Sequence, residues 1–131
     1  MAGYTALKLT EVENQGEKFG FDPEVLQFRM AKDPLNCESC GISYERLGPN
    51  FRMPFGHKHK VQEEVFVLIT GSARMKVEDD EIDLEPWSAV RVSPDTMRSL
   101  EAGPDGAEFV VVGAPKTGPG DADIVQGWWT E

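Results

Sequence analysis

The sequence predicts an all-β barrel or sandwich with one short helix near its start, and two observations carry that reading. From residue 41 onward the chain falls into short runs rich in Val, Ile, Phe and Thr, and Gly, Pro, Asp or Asn separates one run from the next. Many short strands joined by brief turns make a barrel or a sandwich. With 131 residues and 40% hydrophobic content the chain can bury one core and is too short for two comfortable ones. One domain over 1–131 is expected, with a barrel core at about 41–114, a strand and helix in 1–40, and a tail in 115–131.

The helix is expected in "FDPEVLQFRMAK", residues 21–32. Asp22 can cap it, Pro23 suits the first helical position, Glu24 complements the dipole, and Leu26 and Met30 lie one turn apart. Asp33-Pro34 should end it. Strands are expected over 41–47, 64–70, 72–78, 88–93, 96–102 and 107–114. Asp79 and Asp80 read as a hairpin turn leading into "EIDLE", and Pro104-Asp105-Gly106 as another. The acidic run "EDDEIDLE" is then a solvated hairpin. Trp128 and Trp129, close to the C-terminus, suggest a tail that docks on apolar surface of its own domain or of a neighbouring subunit.

Charge narrows the partners. The formal charge of −10 comes from 23 acidic against 13 basic residues, with a pI near 4.6. Such a chain repels phosphate backbones and anionic headgroups, so neither nucleic acid nor a membrane surface is an expected partner. The first residues show no apolar leader and no window is long enough to span a bilayer, which makes a soluble, cytoplasmic protein the expectation. The only cysteines, Cys37 and Cys40 in "NCESCG", read as two reduced thiols in a loop, because no second pair of ligands accompanies them for a zinc site.

The chemistry concentrates in "MPFGHKHKVQEEVFVLITG", residues 53–71. On a strand His57 and His59 point to one side, and on a barrel wall that side is the lumen. Glu64, Phe66 and Leu68 share a face of the next strand, so a core built on Phe66 and Leu68 carries Glu64 inward. A lone buried carboxylate is costly beside two imidazoles, and a bound cation would remove much of that cost. Two His and one carboxylate also match the three-ligand set that holds iron, manganese or related metals with positions left open.

The spacing His57-x-His59, four residues, Glu64, six residues, Gly71 resembles the first sequence motif of the cupin superfamily. Those small β-barrels hold a divalent metal with two His, one Glu and a further His from a second motif. The resemblance implies a cupin-type barrel (a double-stranded β-helix or jelly roll), a metal site at His57, His59 and Glu64, a small-molecule ligand, and a homodimer formed through the early "TALKL" strand or the Trp-bearing tail. The metal would be iron, manganese, nickel or zinc. The second-motif stretch, "WSAVRVSPDTMRSLEA", keeps the frame but not the residues. Trp87 stands for the opening Gly, Ser93 for Pro, Asp95 for Gly, Arg98 for the fourth-ligand His and Ala102 for Asn. The leading Gly of the first motif is also replaced, by Phe51, with Gly48 three residues earlier.

Arginine offers a metal no lone pair, so Arg98 divides the readings. In one, the three remaining ligands keep a metal and Arg98 binds an anionic ligand or stabilises developing charge. In the other there is no metal: Arg98 pairs with Glu64, and the barrel binds a small anion, with His57, His59 and Arg98 available for acid/base chemistry of isomerase or epimerase type or for binding alone. A third alternative is a satisfied structural network. Gln62, Tyr44 and Arg46 are further candidates to line the lumen, although the inward parity of the Tyr44 strand is open. Glu63 reads as a surface charge, Arg52 and Met53 as rim residues, and Met97 and Trp87 as packing residues.

Overall fold

The structure, a computed structural model, describes residues 3–130. Eight strands form one curled antiparallel sheet: β1 (Leu26–Met30), β2 (Gly41–Leu47), β3 (Phe55–His59), β4 (Glu63–Val77), β5 (Asp80–Leu84), β6 (Ala89–Val92), β7 (Arg98–Ala114) and β8 (Ala122–Gln126). The all-β reading holds. The helix does not: the described residues contain only two 3-10 turns, Leu9–Glu11 and Gln15–Phe19. None of their helices could cross a membrane.

The failure of the helix at 21–32 has a local cause. Asp22 caps as expected, its carboxylate accepting the Glu24 N–H at 2.8 Å, and its carbonyl accepts the Val25 and Leu26 N–H groups. That makes one turn only. Leu26-Gln27-Phe28-Arg29-Met30 alternates apolar and polar residues, and β1 pairs with β2 from Leu26↔Leu47 to Met30↔Ser43, a period-two pattern that competes with the one-turn spacing of Leu26 and Met30. The "TALKL" segment is not a strand either, since Leu9 opens a 3-10 turn.

Two pairs of expected strands merge. β4 takes in 64–70 and residues 72–77 of the expected 72–78, and β7 takes in residues 98–102 of the expected 96–102 and all of 107–114, along with the expected turn at Pro104-Asp105-Gly106. Each long strand serves two layers. Residues 63–68 of β4 lie between β6 and the second half of β7, while residues 73–77 lie between β5 and the first half of β7. One layer therefore runs β1–β2–β7–β4–β6 and the other β5–β4–β7–β3–β8. The core fills the space between them: Leu47, Phe66, Leu68, Phe109 and Val111 from the first layer meet Met75, Leu84, Leu100 and Met53 from the second. Met53 thus packs in the core rather than at a rim. The turn from β4 to β5 falls at Glu78-Asp79, one residue before the expected position.

The bend is tightest where β4 and β7 cross. Their register shifts between Leu68 and Thr70 and again between Gly71 and Ala73. Gly71 has φ +85°, and a Cβ there would stand 2.0 Å from the Gly106 carbonyl oxygen. Only glycine combines that angle with that approach.

The C-terminal tail docks on its own domain. β8 pairs with β3, Trp129 is buried beneath the Arg52 guanidinium at 4.4 Å, and Trp128 lies so close over Gly56 that a Cβ there would meet its ring at 2.5 Å. Arg52, which also pairs with Glu101 at 3.0 Å, is therefore a structural residue.

Gly71→Ala should cost about 3 kcal/mol or more by urea unfolding, because strain and collision add. Gly20 has a similar φ of +88° with open space around it, so Gly20→Ala should cost only about 1 kcal/mol. Equal losses at the two positions would refute the close crossing.

Candidate ligand and metal site

The two layers bring the predicted cluster together. On β7, Arg98 shares the core face with Leu100 and Ala102, and its Cα partner on β3 is His57. On β4, Glu64 shares the core face with Phe66 and Leu68. His57 and His59 from one layer thus face Glu64 from the other. Arg98 is fully buried and answers the parity question: it points inward.

Glu64 Oε1 is the meeting point. Arg98 Nη2 donates to it at 2.7 Å, while His59 Nε2 stands 3.3 Å and His57 Nε2 3.6 Å away. Arg98 Nη1 donates to the Thr96 carbonyl at 2.7 Å, and Arg98 Nε is buried without a partner. The two imidazoles meet edge to face with centroids 5.1 Å apart. One ligand atom each from His57, His59 and Glu64 lies within 4.8 Å of the others, a set that could hold a metal ion. Two ligand atoms at about 2.1 Å from one ion stand about 3.0–3.4 Å apart, so the His59–Glu64 spacing of 3.3 Å suits a shared ion and the His57–Glu64 spacing of 3.6 Å lies just beyond that range.

Asp121 belongs to the site and was not legible beforehand. It precedes β8, its Oδ2 lies 2.9 Å from His59 Nδ1, and its Oδ1 accepts the Val61 N–H at 3.0 Å. A carboxylate at Nδ1 places the proton there and leaves the Nε2 lone pair facing Glu64. Nothing in the local pattern of "TGPGDAD" marks Asp121; it reaches His59 only because β8 pairs with β3.

Glu45 is the second residue that sequence reasoning missed. Its Cα partner is Phe109, so Ser43, Glu45 and Leu47 face inward, whereas Tyr44 and Arg46 face outward beside Val110 and Glu108. This corrects the expectation for Tyr44 and Arg46 as lumen candidates. The Tyr44 hydroxyl donates to Glu108, which also receives the Thr70 hydroxyl at 2.6 Å, and Arg46 is exposed. Gln62 does lie at the lumen end, folded against Gly113, the Cα partner of Glu64, with Nε2 donating to the Pro115 carbonyl at 3.2 Å. Glu63 is an exposed surface charge, paired with Arg91. Met97 packs inside as expected, but Trp87 is 73% exposed. Cys37 and Cys40 lie in the loop between β1 and β2, both half-buried.

The protonation pattern follows from these contacts. Burial opposes ionisation of Glu64, but its contacts with His57 and His59 outweigh that and hold its pKa well below the usual carboxylate range. His57 is pushed down, by burial first, with the Arg98 charge adding to the effect against Glu64. His59 feels burial too, yet Glu64 and Asp121 together raise it. Glu45 is pushed up to about 8, by burial first and then by the charge on Glu64.

This architecture is the cupin-superfamily fold, with a cluster in its lumen able to hold a metal. A cupin from Bacteroides fragilis, BF4112, superposes on 88% of this chain and 86% of its own with a TM-score of 0.71 at 20% identity. Streptomyces Pac13 covers 96% of this chain and 92% of its own at 0.72 and 13% identity, and Halomonas KdgF covers 73% and 83% at 0.62 and 13%. No protein-family profile matches the sequence. A search of curated proteins by sequence finds no match either.

Glu45 gives a pH test. Its folded pKa lies above its ordinary value of 4.5, so the folded state holds a proton that the unfolded chain releases. Its contribution is full below about pH 4.5 and is lost as pH rises toward 8, at about 1.4 kcal/mol per pH unit. Relative to the unsubstituted protein, Glu45→Gln should gain at least about 2 kcal/mol between pH 5 and pH 8.5 in urea unfolding. Parallel pH profiles for the two proteins would show that this carboxyl is not held in a dry lumen.

Proposed function

We propose that this chain is a small-molecule-binding cupin whose lumen holds a divalent metal on His57, His59 and Glu64 and takes an anionic organic ligand beside Arg98. The observation that carries the reading is the convergence of three donor atoms within 4.8 Å from two facing layers. Asp121 supports it, because its contact with Nδ1 turns the His59 Nε2 lone pair toward the same point. Bound there, the metal would supply Lewis acidity toward a ligand oxygen. The chain's own groups do the rest: Arg98 offers a buried cation and a free Nε–H to an anionic oxygen, and the apolar wall around Phe66 keeps water from competing. Streptomyces Pac13, which has the same fold, is described with uridine and as a nucleoside dehydratase. It supports a small organic molecule as the class of occupant.

A second reading rests on the Arg98–Glu64 bond at 2.7 Å. A dication beside a guanidinium is repelled in a low-dielectric lumen, and Glu64 is already neutralised without one. The site then binds a small anion with Arg98 and the histidines alone, with or without acid/base turnover.

The two readings separate in a metal titration. Chelator-stripped protein should take up about one equivalent of manganese, iron, nickel or zinc by calorimetry and elemental analysis, and a His57→Ala, His59→Ala double variant should bind at least about 100-fold more weakly. Arg98→Gln should bind metal about tenfold more tightly, since it removes the repulsion and leaves the three ligands. Absence of uptake with all four metals would sink the metal site and leave the anion pocket.

A further inference from the structure

The loop between β1 and β2 carries both cysteines of the chain, and a dense set of bonds holds it in one shape. Asp33-Pro34 lies in a single turn where Leu35 N–H donates to the Ala31 carbonyl, Asn36 N–H to that of Asp33 and Cys37 N–H to that of Lys32, each at 2.9 Å. Asn36 closes the turn at φ +59°, a left-handed angle that Asn tolerates better than most residues. The chain bends again at Glu38 and Ser39, which returns Cys40 toward Cys37. The two side chains adjoin: the Cys37 thiol feels Cys40 both as a charge and as a hydrogen-bond partner. Both thiols are free and half-buried, so a small reagent can reach them.

The same bend grips the segment that leaves β7. Lys116 takes carbonyls on both sides of it: the backbone N–H donates to Ser39 at 3.0 Å and Nζ donates to Cys37 at 2.8 Å, with the Asp33 carboxylate 3.4 Å from the same ammonium. Lys32 Nζ reaches across to the Thr117 carbonyl, and Gln62 Nε2 holds the Pro115 carbonyl. Residues 115–117 are thus strapped to the cysteine loop. A few residues further along the same segment, Asp121 makes the Nδ1 contact that orients His59.

We infer that Cys37 and Cys40 form a reversible disulfide within the chain when they meet a low-molecular-weight disulfide such as oxidised glutathione, and that this bridge and the Lys116 strap stabilise one another. One cysteine thiolate displaces a glutathione thiolate from the oxidant and becomes a mixed disulfide. The second cysteine then attacks the protein sulfur of that mixed disulfide and expels the other glutathione. The protein gives up two thiol hydrogens and two electrons, and one oxidised glutathione becomes two reduced ones. Burial first, and then the adjoining Cys40, push the Cys37 thiol up, which suits Cys40 to the opening attack and Cys37 to the closing one. The coupling follows from linkage: the shape that seats Lys116 also holds the two sulfurs together, so loosening one lowers the population of the other. The other use of such a pair, half of a four-ligand zinc site, lacks its second half, because both histidines of the chain belong to the lumen cluster.

Equilibration in glutathione buffers of graded ratio, followed by acid quench, alkylation and intact-mass measurement, tests the bridge. The unsubstituted protein should lose both alkylatable thiols together and carry no added glutathione, while Cys37→Ser should stop at a glutathione adduct on Cys40. Lys116→Met should move the ratio of half-oxidation at least about threefold toward oxidant, because a charged hydrogen bond no longer holds the loop. Lys60→Met removes a bond to the Gly120 carbonyl further along the same segment and should leave that ratio where it was. Amide exchange at Lys116 should slow when the unsubstituted protein is oxidised, since the bridge fixes the bend its N–H binds. Thiols that stay alkylatable at about 10 mM oxidised glutathione, or a bridge between two chains in place of one within the chain, would overturn the inference. So would a half-oxidation ratio that ignores Lys116→Met, or Lys116 exchange indifferent to oxidation.

Discussion

The Arg98–Glu64 pair is the interaction on which the interior depends. It is a buried ion pair that ties one layer of the barrel to the other, with Arg98 fully enclosed and its Nη2 on the oxygen that both histidines also approach. Such pairs return little net stability when intact, because desolvating two ions offsets their attraction. Losing one partner is different: it strands a charge and costs about 3–5 kcal/mol. Once Arg98 is inside, Glu64 must therefore be ionised and present, and the histidines settle around a carboxylate that is already negative. Burial first, and then the charge on Glu64, push the pKa of Glu45 on the adjoining wall up to about 8.

That pair can form only because β4 and β7 bend. A flat sheet would place Glu64 and Arg98 on one surface, separated along the strands. The crossing at Gly71 and Gly106 folds each strand into two layers, so residues 64 and 98 face each other across the core. The bend also explains the length of the strands. Where local sequence shows two short strands and a turn, hydrogen bonding continues through the bulge and produces strands of 15 and 17 residues.

Much of this was legible in the sequence, and the misses have physical causes. The inward placement of His57, His59 and Glu64 follows from period-two alternation anchored by Phe66 and Leu68, and it holds. The parity of "GISYERL" was undetermined because both of its faces mix polar and apolar residues; only pairing with Phe109 fixes Glu45 inside and Tyr44 outside. Asp121 could not be found, since its role depends on a strand pairing that joins residues more than sixty apart. The false helix at 21–32 arose from strong capping residues. Caps mark where a turn starts and do not decide how far it runs. Tertiary pairing of β1 decided that.

Two departures from local rules stand out. An arginine and a carboxyl whose pKa is pushed up to about 8 sit in the lumen, where apolar packing would be cheaper, and a tryptophan holds a glycine's conformation beside a valine-lined outer face. Between these regions the core obeys ordinary rules, with Leu47, Leu68, Met75, Leu100 and Phe109 packed without polar intrusion. Sequences tend to agree with their fold at every level, and violations persist where something other than folding selects them. The lumen cluster by itself could be dismissed as a tolerated network, and the outer face by itself as loose design. The geometry of the cluster argues against the first dismissal: three side chains of one layer converge on a single carboxylate oxygen of the other.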